Sequence, residues 1–173
     1  LCELLDGDQF FSLFLGIWNQ TTGELTCTNA GHPPPILIRG GQITELNSHG
    51  MLLGILDSSK YERSHLKLWK DDLLVLFSDG ISEAIAQSEF GSLRGLIQET
   101  LKSQKKPPAQ ELFDLVWNCA IEHGLTEDDR SLMVIRMTGV AAGMFVRFDR
   151  GGIKTASRLT ENSATGERIN EYH

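Results

Sequence analysis

Cysteine is scarce in this chain: three residues in 173, Cys2, Cys27 and Cys119, an odd number with no C-x-x-C pair. That argues against a disulfide framework and a zinc knuckle, and it suits a reducing cytoplasm. Positive charge is also short, with 16 Lys and Arg against 23 Asp and Glu for a net charge of −7. A surface that tracks nucleic-acid phosphates is therefore not expected. No apolar run is long enough to cross a bilayer as a helix. The longest, Phe10 to Trp18, is interrupted by Ser12 and falls well below the roughly 20 residues required. No Gly-Lys pair occurs, so the phosphate loop of the nucleoside triphosphatases is missing. No internal repeat marks a solenoid or propeller. The opening residues, Leu1-Cys-Glu-Leu-Leu-Asp-Gly-Asp8, lack an initiating Met, a basic leader and a signal-cleavage pattern, and read as an internal cut through a longer chain.

What is present suits one globular domain with a real core, 40% hydrophobic and 23% charged. Phe10 to Trp18 and Glu24 to Asn29, joined by the turn residues Asn19 to Gly23, read as a hairpin. Ala30-Gly-His-Pro-Pro-Pro35 is a rigid connection, because its prolines cannot donate to a ladder. Ile36 to Arg39 and Gln42 to Leu46 flank Gly40-Gly41, which extends the pattern to a meander of at least four strands. Tyr61 to Trp69 alternates as a half-exposed strand, and Lys70-Asp71 turns it towards Leu73 to Phe77, giving an expected second hairpin. Helical spacing then takes over at Ser92 to Leu101 and Ala109 to His123, with Lys105-Lys-Pro-Pro108 and Gly124 as stops. Ser131 to Arg136 returns to strand. Residues 139 to 173 read as a flexible extension, with one short strand at Met144 to Phe148.

Chemistry concentrates where Leu73-Leu-Val-Leu-Phe77 ends in Ser78-Asp79-Gly80. Five consecutive apolar residues suit a strand buried on both faces, and Gly80 allows a sharp turn after it. A carboxylate in that position can serve as a metal ligand or nucleophile; the alternative is that Asp79 caps a helix starting near Ile81. A haloacid-dehalogenase-type phosphatase needs a second acid two residues on, where Ile81 stands. What survives is a pair of acid sites, Asp79 and Asp128, of a kind that hard divalent cations take. Solvated or capping acids remain the alternative. His32 in its Gly-Pro-rich turn more often bonds backbone than substrate, and Glu83 complements a helix dipole.

The order of the motifs says more than any one of them. Asn29-Ala-Gly-His-Pro-Pro-Pro35, Leu53-Gly-Ile55, Leu73 to Ala84, Phe90-Gly91 and Asp128-Asp-Arg-Ser-Leu-Met-Val134 together resemble the metal-dependent protein serine/threonine phosphatases of type 2C, in their bacterial SpoIIE-like branch. The resemblance runs from about Phe10 to Arg136. It implies an α+β fold, an antiparallel β-sandwich flanked by helices, occupying residues 1 to 138 as the C-terminal portion of the domain. It implies two Mn²⁺ or Mg²⁺ ions, with Asp79, Gly80 and Asp128 as the metal-site residues and metal-activated water as nucleophile. Asp128 is preferred to Asp129, which would support it or end the turn. The implied substrate is a phosphoserine or phosphothreonine on a regulatory protein, such as an anti-anti-sigma factor in partner-switching and stress signalling, under an upstream sensor domain.

Two departures stand out. The family's earlier Asp-bearing motif would precede Phe10, and Asp6 and Asp8 lack its context, so this polypeptide alone is expected to hold an incomplete metal site and to be inactive. The competing expectation is a non-catalytic module that keeps the fold for partner binding. Asp71 also stands where the family usually has Gly before the acid at Asp72.

Overall fold

The computed structural model describes residues 10–47, 50–56, 58–124 and 129–138, together with the backbone of three later strands. Seven strands and three helices fill the described part up to Met137: β1 (Leu13–Asn19), β2 (Glu24–Ala30), β3 (Ile36–Arg39), β4 (Gln42–Glu45), β5 (Ser64–Lys67), β6 (Leu73–Phe77), α1 (Asp79–Ala86), α2 (Leu93–Ser103), α3 (Ala109–His123) and β7 (Arg130–Met137). Beyond them lie β8 (Ala142–Arg150), β9 (Ile153–Glu161) and β10 (Arg168–Tyr172).

The strands form two antiparallel sheets. One has three strands in the order β1-β2-β5, and the other has seven in the order β10-β9-β8-β7-β6-β3-β4. Alternation along β6 explains how they stack. Leu73, Val75 and Phe77 join the cluster formed with Ile81, Leu96, Ile97, Leu112 and Val116 of the helices. Leu74 packs instead with Leu25 and Cys27 of β2, and Leu76 lies against that same second cluster. Because side chains alternate across a strand, the large sheet is sandwiched between a helical layer and the small sheet. This is why Leu73 to Phe77 shows no polar alternation. The α+β sandwich expected from the motifs is therefore the observed fold.

The helices form where the apolar spacing places them. Leu112, Val116 and Ala120 of α3 recur every fourth residue and are all fully buried, so one stripe of the helix faces the sheet. Burying each large aliphatic side chain contributes about 1.5–3 kcal/mol. α2 starts at Ser92, whose hydroxyl accepts the Gly95 N–H at 3.0 Å, which satisfies one of the otherwise unpaired first-turn donors. Pro107 and Pro108 separate α2 from α3.

Three expectations are corrected. The four-strand meander does not form, because β1 and β2 lie in the small sheet and β3 and β4 in the large one. The rigid Pro33-Pro34-Pro35 connection carries the chain between sheets rather than along one. The hairpin expected between 61–69 and 73–77 does not form either: β5 pairs with β2, through Leu25↔Leu66, while β6 pairs with β3 and β7. The reversal at Lys70-Asp71 crosses from one sheet to the other, held by Trp69 N–H donating to Asp72 Oδ2 at 2.7 Å. Finally, the extension contains more than the strand expected at 144–148, which falls within β8. β8 pairs with β7, β9 with β8 and β10 with β9, so the more polar β9 and β10 join the sheet by backbone pairing.

The outer face of β1 presents Leu13, Leu15 and Ile17 to solvent, while Phe14 and Trp18 on its other face pack against the inter-sheet cluster.

Candidate functional site

Register brings three of the five sequence motifs to one end of the large sheet. Ile36 at the start of β3 stands opposite Val75, so Pro35 and the Gly31-His32 turn lie towards the end of β6 that carries Asp79. Leu132 near the start of β7 stands opposite Phe77. Three chain segments separated in sequence therefore meet where β6 ends.

Ser78 is the joint. Its backbone is extended, with φ −78° and ψ 166°, and its N–H donates to the Ser131 carbonyl at 3.0 Å. Its hydroxyl accepts the Ser131 N–H at 2.9 Å and donates to the Asp129 carbonyl at 3.2 Å. One small side chain thus fastens the end of β6 to the acidic segment leading into β7. As the N-cap of α1, Ser78 makes no side-chain cap bond, because its hydroxyl is committed to β7.

Asp79 is exposed and forms the first residue of α1. It is not the cap that the alternative reading expected, since the helix begins at Asp79 itself and not near Ile81. Its Oδ1 accepts the Gly80 N–H at 3.0 Å, and its negative charge suits the helix N-terminus. Its backbone carbonyl accepts the Ser82 hydroxyl at 2.9 Å. Gly80 is buried within α1 and has a helical backbone. The sharp turn expected of it does not form: the chain passes from β6 through the extended Ser78 directly into α1. Asp128 lies outside the described residues. Its neighbour Asp129 is exposed, and its carbonyl is the one held by Ser78. Glu83, expected in a first helical turn, falls beyond it because α1 starts at Asp79, the acid of that turn; Glu83 is exposed.

The His32 turn is built by Asn29, a buried residue whose side chain holds both backbone groups of His32. Its Oδ1 accepts the His32 N–H and its Nδ2 donates to the His32 carbonyl, each at 2.8 Å. The ring Nδ1 of His32 lies 2.9 Å from the Pro33 carbonyl. A carbonyl can only accept, so Nδ1 carries the proton. The imidazole is thus tied to backbone, as expected of it. Gly31 has φ 71°, and a Cβ there would stand 2.5 Å from Leu52 Cδ2, so it serves backbone geometry.

A buried acid at the opposite end of β6 went unrecognised in the sequence. Asp72 is 2% exposed and accepts Arg39 Nη2 at 2.6 Å and Arg39 Nε at 3.0 Å. That hydrogen bond pushes the Arg39 guanidinium further above its ordinary range. Preceding it, Asp71 has φ 73°, a left-handed conformation that favours glycine and that Asp tolerates better than most residues. The departure noted at Asp71 therefore falls at a position whose geometry asks for Gly. Arg130, within the last motif, is also buried, at 7% exposure, and packs across Gly124 at the end of α3, where a cation complements the helix C-terminus. Its only sequence signal was its place beside the two acids.

For hard cations the donor chemistry fits, since carboxylate and backbone oxygens are what Mn²⁺ or Mg²⁺ takes. Among the described residues, however, no group of three His, Cys, Asp or Glu comes together. They supply part of a donor set.

A family model described as Stage II sporulation protein E (SpoIIE) matches residues 1–138. The chain belongs to the SpoIIE family. It is similar to the phosphoserine phosphatase RsbU of Bacillus subtilis, 27% identical over 137 residues that cover 76% of this chain and 40% of RsbU. It is also similar to Stage II sporulation protein E of Bacillus subtilis, 28% identical over 140 residues that cover 79% of this chain and 17% of that protein. Among solved structures, the Mn-presoaked phosphatase domain of SpoIIE from Bacillus subtilis matches with a TM-score of 0.57 at 26% identity, covering 73% of this chain and 56% of that one. A structure of its PP2C phosphatase domain with a fragment of the regulatory domain gives a TM-score of 0.58 at 27% identity, covering 72% and 38%. The chain therefore has the type 2C phosphatase fold and spans less than half of the curated relatives it matches. Among the described residues no helix is long and apolar enough to cross a membrane.

Proposed function

We propose that this chain contributes Asp79, Gly80 and Asp128 to the two-ion Mn²⁺ or Mg²⁺ centre of a protein serine/threonine phosphatase. The observation that carries the reading is the joint at Ser78, which binds the strand end bearing Asp79 to the backbone beside Asp128. Asp79 stands on a strand-to-helix junction and is exposed to solvent, and Asp128 directly precedes Asp129 in the sequence, whose carbonyl Ser78 holds. Such ions supply a water of lowered pKa and neutralise the phosphoryl oxygens during in-line displacement. The chain's own part is to fix the two carboxylates relative to each other and to leave the sheet end open to a phosphorylated side chain. No side-chain nucleophile is required.

The proposed substrate is a phosphoserine or phosphothreonine on a regulatory protein, of the anti-anti-sigma type in partner switching. It rests on the likeness to RsbU, which is named a phosphoserine phosphatase. A cytoplasmic setting is supported by the buried free thiols of Cys27 and Cys119. The second reading is a non-catalytic partner-binding module, favoured by the absence of a three-residue donor cluster among the described residues. Phosphate release from a phosphoserine protein by the full gene product, with Mn²⁺ and with a chelator, separates the two. Catalysis predicts Mn²⁺-dependent release that Asp79→Asn abolishes. Unchanged release in that variant removes Asp79 from the site, and no release from the full gene product favours the module.

A further inference from the structure

At the other end of β6, about 20 Å from Asp79 at 3.3 Å per residue, the surface has a different character. Trp69 is 55% exposed, whereas Trp18 is only partly exposed and Trp117 is buried. Two cations stand over its ring: Lys67 Nζ lies 5.3 Å and Arg39 Cζ 6.0 Å from the centroid. Arg39 Nη2 also donates to the Lys67 carbonyl at 2.6 Å, so the guanidinium is fixed while much of it faces solvent. Past Asp72 the basic character continues. Arg136 and Lys106 converge on Asp71 at 3.3 Å and 3.5 Å, and Lys105 lies against the Gly41 turn beside Arg39.

Asp71, Asp72 and Glu24, which stands opposite Lys67 across the β2–β5 ladder, neutralise only part of the group formed by Arg39, Lys67, Lys105, Lys106 and Arg136, on a chain whose net charge is −7. The concentration of cations at one end is thus opposite in sign to the molecule as a whole. An exposed Trp held between Arg and Lys has the composition of an interface anchor, and the like-signed surround would steer an anionic partner to it. The flat apolar ring favours a peptide surface over a bare polyanion.

We infer that this end of the sheet, centred on Trp69 with Arg39, Lys67, Lys106 and Arg136, is a docking surface for an acidic segment of a partner protein. It lies apart from the proposed metal site and does not depend on that reading. A phosphatase acting on a protein would gain a second hold on its substrate there, remote from the phosphorylated residue.

The test is fluorescence anisotropy of a labelled Glu-rich peptide with interspersed Leu residues, titrated with the full chain. Wild type should bind saturably. Lys67→Glu combined with Lys106→Glu should weaken binding at least about ten-fold, as removal of two screened charge pairs implies, and Trp69→Ala should weaken it several-fold at constant salt. Thermal melts establish that each variant is folded. Failure to bind, or equal affinity in the double variant, overturns the proposal. Tighter binding of a ten-nucleotide oligothymidylate than of the peptide also overturns it, in favour of a nucleic-acid partner.

Discussion

Removing the Ser78 hydroxyl tests the joint at the centre of the site. In Ser78→Ala the bond donated to the Asp129 carbonyl at 3.2 Å and the bond accepted from the Ser131 N–H at 2.9 Å are both lost. The backbone bond from Ser78 N–H to the Ser131 carbonyl at 3.0 Å remains, so the strands still pair. Each lost neutral bond is worth about 1 kcal/mol net. The Asp129 carbonyl borders solvent and can be hydrated, whereas the half-buried Ser131 N–H loses its partner. The expected total is about 2 kcal/mol, or a fall of about 1 M in the urea midpoint at a slope near 2 kcal/mol/M. Ser78→Thr keeps the hydroxyl in an extended backbone and should recover most of the loss. Urea unfolding followed by circular dichroism measures both. A loss below about 0.5 kcal/mol in the alanine variant, or failure of threonine to restore stability, would refute the view that this side chain fastens β6 to β7.

Other variants probe the frame around that joint. Asp72→Ala should cost about 2–3 kcal/mol, because it removes three charge-assisted bonds from Arg39 and the bond from Trp69 N–H; partial exposure of Arg39 keeps the loss below that of a fully buried pair. Chemical denaturation of this variant should show the loss. Gly31→Ala should destabilise by at least about 1 kcal/mol, since its φ of 71° and the contact with Leu52 oppose a Cβ, as a thermal melt would register. The Arg136 hydrogen bond holds the Asp71 carboxyl below its ordinary value of 3.8, with Lys106 assisting. A depressed acid stabilises above its unfolded pKa and loses that contribution as pH falls through its folded one. The difference in denaturation midpoint between wild type and Asp71→Asn should therefore be present at pH 6 and shrink below pH 3.8. Burial pushes both the Cys27 and Cys119 thiols up, so a thiol reagent at pH 8 should label them slowly in the folded protein and rapidly in urea.

Local pattern made some parts of this fold legible and left others hidden. The stripe of Leu112, Val116, Cys119 and Ala120, ending at Gly124, made α3 legible between the bounds observed, because helix periodicity and stop signals are local; Leu115, counted on the same stripe, is instead exposed. The buried strand Leu73 to Phe77 was visible because burial on both faces removes polar alternation. Pairing was not visible. The sequence around Lys70-Asp71 has the composition of a hairpin turn, yet the chain changes sheets there, and the partner of β5 lies far back at β2. Asp72 carried no signal beyond its place after the Lys70-Asp71 turn, since Arg39, which explains its burial, lies 33 residues earlier. β9 and β10 have no apolar stripe, although Gly151-Gly152 is a turn signal that a weak strand pattern could have supported. At the site, the acid at Asp79 and the order of the motifs were legible. The role of Ser78, which depends on a strand arriving from 51 residues away, was not.

Calorimetric titration of the full gene product with Mn²⁺ tests the central claim most directly. Wild type should bind tightly, and binding should be lost in both Asp79→Asn and Asp128→Asn, each of which removes one carboxylate from the proposed centre while leaving the urea midpoint nearly unchanged. Undiminished Mn²⁺ binding by both variants would contradict it.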